Sequence, residues 1–130
     1  MMLELNTKRR EVVDITEKVR KVVKDLSNGK SGIAVIFTYH TTTALTVNEA
    51  EEGLMDDIIN ALFSIVPKME YKHNRIDNNA EAHIIASIVG NSVVVPVDNG
   101  EIVLGTWQRI LFIELDGPRK RKIHVKFLNI

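Results

Sequence analysis

The stretch GIAVIFTY, from Gly32 to Tyr39, is apolar at both odd and even positions. SVVVPV (Ser92 to Val97) and RILFIEL (Arg109 to Leu115) share this character. Successive side chains of a strand point to opposite faces, so each of these strands needs cover on both faces. One small domain has few helices to supply that cover. The pattern therefore predicts self-association, with a subunit interface covering part of the sheet.

Helical spacing of apolar residues predicts two helices in the first half of the chain. An extended segment from Leu3 to Ile15 precedes Thr16, a candidate N-cap, and the first helix ends at Asn28-Gly29. Asn48 and Glu51 form a capping box that begins the second helix. The buried positions expected from the spacing are Val19, Val22, Val23 and Leu26 in the first helix, and Leu54, Ile58, Leu62 and Ile65 in the second.

A third helix and more strands are predicted in the second half. The helix runs from near Asn79 to Gly90, with Ile84, Ile85 and Ile88 buried. Strands are expected at residues 101–104, 107–115 and 121–128, with a turn at Asp116-Gly117-Pro118. Strands and helices alternate irregularly, which favours an α+β fold over a doubly wound parallel sheet.

Length and composition predict one ordinary globular domain over residues 1–130. Lys+Arg and Asp+Glu are equal at 17 each, and aromatic residues make up 5%, so a nucleic-acid partner is not expected. The chain has no cysteine, which excludes thiolate and disulfide chemistry. No apolar run has the length of a signal peptide or a membrane span, so we expect a cytosolic protein without a membrane partner.

Histidine is therefore the strongest candidate for metal or acid-base chemistry. His124 shares a strand face with Lys122 and Lys126, which predicts a solvated position outside any site. His40 ends an apolar strand, a pattern equally typical of an ordinary strand-end histidine and of a ligand crevice. His83 lies in the first turns of the third helix, where free N–H groups favour an anion.

Polar residues crowd the segment that enters this helix, and they favour a functional role for His83. They are His73, Asn74, Asp77 and Asn79. Such groups can orient an imidazole and fix its tautomer. The spacing of His73 and His83 matches no standard zinc signature.

An inward carboxylate and an inward arginine are predicted near the carboxyl end. Glu114 lies in an apolar strand and needs a partner if it is buried, with Arg119 and Arg121 as candidates. Arg121 shares parity with Ile123 and Val125, so its side chain is expected to point inward. A planar guanidinium beside a histidine cluster is a phosphate-binding candidate.

Four ordered blocks of this sequence resemble the YjbQ-like family, named for secondary thiamine-phosphate synthase activity. The blocks are HTTTALTVNEAE, HNRIDNNAEAH, GNSVVVPVDNGEIVLGTWQ and ELDGPRKRK, spread from about Ile33 to the carboxyl end. The resemblance implies a mostly antiparallel β-sandwich with about three helices, assembled as a homotrimer with pockets near the subunit interfaces.

The same resemblance implies one site and its residues. It places metal ligands for zinc or magnesium at His40, His73 and His83. It places catalytic residues at Glu49, Asp77, Arg119 and Arg121. It places ligand contacts at Thr41, Asn48, Asn79, Gly105 and Gln108.

The reaction implied by the resemblance joins hydroxymethylpyrimidine diphosphate to a thiazole phosphate and releases diphosphate. We expect Arg119 and Arg121, with the metal or protonated histidines, to hold the diphosphate, while Glu49 or Asp77 tunes the histidines. Such activity can be a side reaction of a pocket built for another phosphorylated molecule. Two alternatives stand beside it: a non-catalytic trimer that binds a metal or small anion, and a purely structural trimer.

Overall fold

The computed structural model describes all residues from 1 to 130 and has an α+β fold with three α-helices, as predicted. The strands are β1 (Met2–Asn6), β2 (Glu11–Asp14), β3 (Gly32–Thr38), β4 (Thr43–Asn48), β5 (Ser92–Asp98), β6 (Glu101–Ile102), β7 (Arg109–Glu114) and β8 (Lys120–Asn129). The helices are α1 (Thr16–Ser27), α2 (Glu52–Ile65) and α3 (Ala80–Val89), with a short 3-10 helix at Lys72–Arg75. No helix has the length and apolar character of a membrane span.

The strands form two antiparallel sheets, one of five strands in the order β1-β8-β3-β5-β6 and one of three in the order β2-β7-β4. The main core lies between the two sheets and α1, and it contains Ile36, Val95, Phe112 and Ile123 among others. A second core packs the other face of the small sheet against α2 and α3. The small sheet is therefore a middle layer, which explains why β7 is apolar on both faces.

The predicted need for cover on both faces is met within the chain for β7 but not for β5. β7 is buried along both faces because it is the central strand of the middle layer. Alternate residues of β5 are exposed, and the Val94 side chain is 58% exposed. Val94 lies beside Val35 of β3 on the outward face of the large sheet. Apolar side chains on that face have no cover in a single chain.

The ends of the chain enter both sheets. The extended amino-terminal segment divides into β1, which pairs with β8, and β2, which pairs with β7. The segment Asp116-Gly117-Pro118 connects β7 to β8 as predicted, but these strands belong to different sheets and do not form a hairpin. This crossing brings Glu114 at the end of β7 close to Arg121 at the start of β8.

The start of α1 differs from the prediction by one residue. Thr16 is the first helical residue, and Ile15 precedes the helix. The Thr16 hydroxyl donates to Asp14 Oδ1 at 2.6 Å and accepts from the Ile110 backbone N–H at 2.7 Å. Thr16 therefore joins the helix to the small sheet. The helix ends at Asn28 as expected, although Leu26 is exposed rather than buried.

The predicted capping box of α2 is wrong. Asn48 is the last residue of β4, paired with Arg109, and Glu51 alone caps the helix by accepting from the Gly53 and Leu54 backbone N–H groups. Leu54, Ile58 and Leu62 of α2 are partly buried as expected. Ile65 is exposed instead of buried, and Phe63 and the following Val66 take its place in the core.

The predicted bounds of α3 are confirmed, since Asn79 precedes it and Gly90 follows it. Of the three isoleucines expected inside, Ile85 is buried, Ile84 is half-buried and Ile88 is exposed. Ala80 and Ala82 are buried, so the small side chains of the first turn face the small sheet. The other side of this turn, which carries His83, faces the loop after β3.

Substitution of Gly32 is expected to destabilise the protein because the backbone of β8, the antiparallel neighbour of β3, lies very close to this residue. A Cβ at this position would lie 1.9 Å from the Leu128 backbone oxygen. The Gly32→Ala variant should lose about 1–3 kcal/mol of unfolding free energy, the range for over-packing. Denaturant titration checks this, with Lys30→Ala in the exposed loop before β3 as control, expected within about 0.5 kcal/mol of wild type. Equal stability of the two variants would contradict this close approach of the β8 backbone to Gly32.

Candidate functional site

The candidate site is a cleft where β3 ends, bounded by the loop 39–42, α3 and the start of β8. One cavity, of about 350 Å³, is the arginine lobe, lined by Tyr39, His40, Thr41, Thr42, Asp77, Asn79, His83, Arg119 and Arg121. An adjoining cavity of about 520 Å³ is the small-residue lobe, lined by Phe37, Thr38, Tyr39, His40, Thr41, Thr43, His83, Ala86, Ser87, Gly90 and Asn91. The two lobes share four residues, so His40 and His83 stand between them.

His40 is held by the backbone of β8. Its Nε2 atom accepts a hydrogen bond from the Lys122 backbone N–H at 3.0 Å. Burial, and then the nearby Arg121 guanidinium, lower the pKa of His40 from its usual value of 6.5, while Glu114 opposes the shift. The imidazole is therefore neutral at physiological pH, with Nε2 as its acceptor nitrogen.

This lowered pKa predicts a pH dependence of stability. Between the folded pKa of His40 and 6.5, the unfolded chain binds a proton on this histidine more readily than the folded chain does. Unfolding free energy should therefore fall as pH drops below 6.5, and less so in His40→Gln, which keeps an acceptor for Lys122. Denaturant titrations across this pH range check the difference. Identical pH profiles for the two proteins would contradict the lowered pKa.

His73 is tied to Arg119 through two side chains. Its Nε2 lies 2.9 Å from Asn79 Oδ1, and Asn79 Nδ2 donates to Asp116 Oδ2 at 2.9 Å. Arg119 Nη2 donates to the same carboxylate oxygen at 3.1 Å. Because a carboxylate only accepts, the amide of Asn79 cannot flip, and His73 must donate through Nε2. His73 lines neither lobe, but its ring meets the His83 ring edge-on with centroids 4.6 Å apart.

The polar segment before α3 contributes both to the start of the helix and to the lining of the arginine lobe. The Asn74 side chain accepts from the Ala80 backbone N–H at 3.1 Å, so Asn74 serves the helix start. Asn79 and Asp77 are thereby left to line the arginine lobe. The structure therefore divides this polar segment into a residue that caps the helix start, Asn74, and two residues that line the cleft, Asp77 and Asn79.

Glu114 and Arg121 form a buried ion pair beneath the cleft. Glu114 is fully buried and Arg121 is 4% exposed. Arg121 donates to Glu114 through Nε at 2.7 Å and Nη2 at 2.6 Å, and Nη2 also donates to the Thr42 hydroxyl at 2.8 Å. The Thr7 hydroxyl and the Asp116 backbone N–H also donate to Glu114. The predicted inward arginine and its carboxylate partner are therefore confirmed.

This pairing changes the expected role of Arg121. Two of its three nitrogens serve Glu114 and Thr42, and only Nη1 makes no hydrogen bond within the chain. Arg119 uses a single nitrogen for Asp116, and its side chain is 52% exposed. Arg119 is therefore the arginine available to a ligand, whereas Arg121 mainly anchors the floor of the arginine lobe.

Besides His73, four predicted site residues lie outside the cleft. β4 carries the chain away from His40 at about 3.3 Å per residue, which places Asn48 and Glu49 at the opposite end of the small sheet. Gly105 and Gln108 bond to each other in the loop before β7, where Gln108 Oε1 accepts from the Gly105 N–H at 2.8 Å. Glu49 instead lines a separate hollow with Asp14, Ala50, Glu51, Thr106, Trp107 and Arg109. Within one chain, the residues of the single predicted site are therefore divided between the cleft and the far end of the small sheet.

The donor set of the cleft does not fit the divalent metal that the resemblance implied. Nowhere in the chain do three or more His, Asp or Glu side chains come together as a metal-binding group. A neutral imidazole has one lone pair, and that of His40 already receives the Lys122 N–H. His73 donates through Nε2 and lines neither lobe of the cleft. The three histidines are neighbours, but they do not form a ligand set.

The sequence missed several contributors to the cleft. Tyr39 and Thr42 lie in the same run as His40, so their proximity was readable from the sequence. Gly90 and Asn91, in the turn between α3 and β5, line the small-residue lobe. The sequence predicts that the helix ends there, but not that this turn lies beside His40. Lys122 contributes its backbone N–H, which bonds to His40. Every residue except proline has such a group, so the amino-acid type at position 122 could not predict this bond.

Known proteins share this whole architecture. The family model for UPF0047 protein YjbQ-like matches residues 1–130. A UPF0047 protein from Archaeoglobus fulgidus is 51% identical over 130 residues, covering 98% of this chain and 100% of that protein. UPF0047 protein YugU from Bacillus subtilis is 37% identical over 124 residues, covering 95% of this chain and 93% of that protein.

Crystal structures agree with these sequence matches. A YbjQ-like protein of unknown function from Sulfolobus solfataricus P2 has a TM-score of 0.94 and 44% identity, covering 100% of this chain and 96% of that chain. A hypothetical protein from Aeropyrum pernix K1 has a TM-score of 0.93 and 42% identity, covering 100% of this chain and 98% of that chain. With its full length matched in both sequence and fold, the chain belongs to the UPF0047 YjbQ-like family.

Proposed function

We propose that the cleft binds a small phosphorylated molecule and catalyses a transfer of the thiamine-phosphate-synthase type, with diphosphate as the leaving group. The observation that carries the proposal is the arginine lobe, which is lined by both the half-exposed Arg119 and the buried, ion-paired Arg121. Threonine hydroxyls and histidines line the same cavity. These groups are hydrogen-bond donors suited to phosphate oxygens.

Oriented donors, rather than net charge, provide the binding in this proposal. Asp116 and Glu114 pair with the two arginines and offset their charge. They also hold the guanidinium groups in position before a ligand arrives, and such preorganised donors cost no rearrangement when charge develops. Asp77 is the one carboxylate that lines the arginine lobe. It supplies an acceptor for a ligand hydroxyl or amino group.

The proposed reaction is the one that the family resemblance implies, and the donors of the cleft are assigned to its steps. The ring nitrogen of the thiazole phosphate attacks the methylene carbon of hydroxymethylpyrimidine diphosphate, forming a C–N bond. The C–O bond to diphosphate breaks, and diphosphate leaves with the electron pair. Arg119 and the Nη1 of Arg121 stabilise the negative charge that develops on it. The small-residue lobe, next to Tyr39, receives the organic part, and its contact with the arginine lobe aligns the two reactants.

Turnover of the two substrates tests this proposal. Purified protein supplied with both substrates and Mg²⁺ should form thiamine phosphate, and Arg119→Ala should slow the reaction by about 10–100-fold, the effect of losing a charged hydrogen bond. Lys21→Ala, which removes an equal charge from the exposed side of α1, should react like wild type. Product formation no faster than with Arg119→Ala would refute the transferase. Tight diphosphate binding without turnover would favour the non-catalytic anion-binding alternative.

We also propose that the protein is a homotrimer, as its resemblance to the family implies. The outward face of β3 and β5 supports self-association, since Val94 is 58% exposed there beside the half-buried Val35. Light scattering should give three times the mass of the 14.7-kDa chain. Val94→Glu should shift the protein toward monomer, because the carboxylate would lose its hydration in an apolar interface. An unchanged mass in this variant would exclude that face as the interface.

A further inference from the structure

We propose that His40 is a hydrogen-bond donor to ligand oxygens through Nδ1–H, with its proton held on Nδ1 by the backbone of β8. This inference deepens the proposed function and rests on it. It assigns to His40 a role different from metal ligation and from that of a charged imidazolium.

The tautomer follows from the partner of Nε2. A backbone N–H can only donate, so the nitrogen that receives the Lys122 N–H at 3.0 Å must carry a lone pair. A neutral imidazole has one lone pair and one N–H, and these lie on different nitrogens. With the lone pair on Nε2, the proton is on Nδ1.

The Lys122 N–H is available because β3 is short. β3 ends at Thr38, which pairs with Ile123 of β8. Lys122 is the next residue along β8 and has no β3 partner on that side, whereas on the other side its neighbour is Glu4 of β1. The His40 ring takes the place of the missing strand residue. Because β8 is held on both sides, this N–H is a fixed donor that selects one tautomer.

The other nitrogen of the ring is free for a ligand. His40 Nδ1 makes no hydrogen bond within the chain, and the ring lines both lobes of the cleft. The lowered pKa of His40, caused by burial and by Arg121, agrees with a ring that keeps a single proton. An Nδ1–H donor selects phosphate, carboxylate or carbonyl oxygens. It disfavours an ammonium group, which would place two donors against each other.

Two substitutions separate the roles of the ring nitrogens. His40→Gln can offer an amide oxygen to the Lys122 N–H but leaves the Nδ1 position without a donor. His40→Asn places its amide near the Nδ1 position and leaves the Lys122 N–H unpaired. The affinity for inorganic diphosphate, measured by calorimetry, should fall about tenfold in His40→Gln and by less than about threefold in His40→Asn. Equal losses, or the greater loss in His40→Asn, would overturn the donor role.

Nitrogen-15 NMR of ligand-free wild-type protein tests the tautomer without any substitution. The expected spectrum has a protonated Nδ1 and an unprotonated Nε2 for His40 at neutral pH. A protonated Nε2 would overturn the inference even if diphosphate binds. If the tautomer is as expected but wild type does not bind diphosphate, the proposed phosphate function fails, and the donor role fails with it.

Discussion

The Glu114→Leu variant is expected to lose about 3–5 kcal/mol of unfolding free energy, the cost of leaving one charge of a buried pair without its partner. Glu114 is fully buried and accepts two hydrogen bonds from Arg121, at 2.7 and 2.6 Å. Leucine cannot accept either bond, and the 4% exposed guanidinium gains too little water to replace them. Denaturant-induced unfolding of the purified variant measures the loss.

A double-mutant cycle shows whether the loss comes from the pair. Arg121→Leu alone should also be costly, because it leaves the carboxylate buried without its charged partner. Glu114→Leu/Arg121→Leu should lose less than the two single losses combined, by about 0.5–3 kcal/mol. Part of the loss should remain, since Thr7 and the Asp116 N–H lose their acceptor in the double variant as well. Strictly additive losses would mean that the two side chains do not stabilise each other.

The Arg119→Ala variant should lose affinity for inorganic diphosphate by about 10–100-fold while remaining as stable as wild type to within about 1 kcal/mol. The two effects separate because Arg119 is 52% exposed and its only ion pair is with Asp116. An exposed pair contributes little to folding, whereas a guanidinium that meets a phosphate inside a cleft forms charged hydrogen bonds. Calorimetry and denaturant titration measure the two quantities on the same protein.

Lys21→Ala is the matched control for charge. Lys21 lies exposed on α1, away from both the cleft and the proposed subunit interface, so its removal lowers the net charge equally without touching either. The diphosphate affinity of this variant should stay within about twofold of wild type, since an exposed charge outside the cleft is screened by salt. If Lys21→Ala weakens binding as much as Arg119→Ala, the anion responds to overall charge and not to the arginine lobe.

Side-chain alternation predicted much of the fold and part of the site. Period-two parity placed His124 outward and Arg121 inward, and β7 is buried on both faces as its apolar run predicted, whereas β5, with the same pattern, is exposed on one face. These predictions were correct because successive side chains of a strand point to opposite faces of the sheet. The polar run after His40 and the polar segment before α3 do meet in space, since β3 and α3 end and begin at the same edge of the fold.

The predictions that were wrong concern residues whose position depends on the direction in which the chain runs, and the spacing of apolar residues does not reveal that direction. Asn48 and Glu49 are near His40 in sequence, but an intervening strand carries them to the other end of the small sheet. The capping box failed because Asn48 is held in the β4 ladder opposite Arg109. The bond from Lys122 to His40 joins residues 82 positions apart through a backbone group, and no sequence pattern encodes that.

Chemical-shift mapping with inorganic diphosphate tests the central claim, that the cleft between β3, α3 and β8 is an anion-binding site. The amide spectrum of the labelled protein is recorded as diphosphate is added. Saturable shifts are predicted at Thr42, His83 and Arg119, with no change at Glu49 and Trp107 in the distant hollow. Shifts centred on Trp107, or no saturable shift at the cleft, would contradict the account.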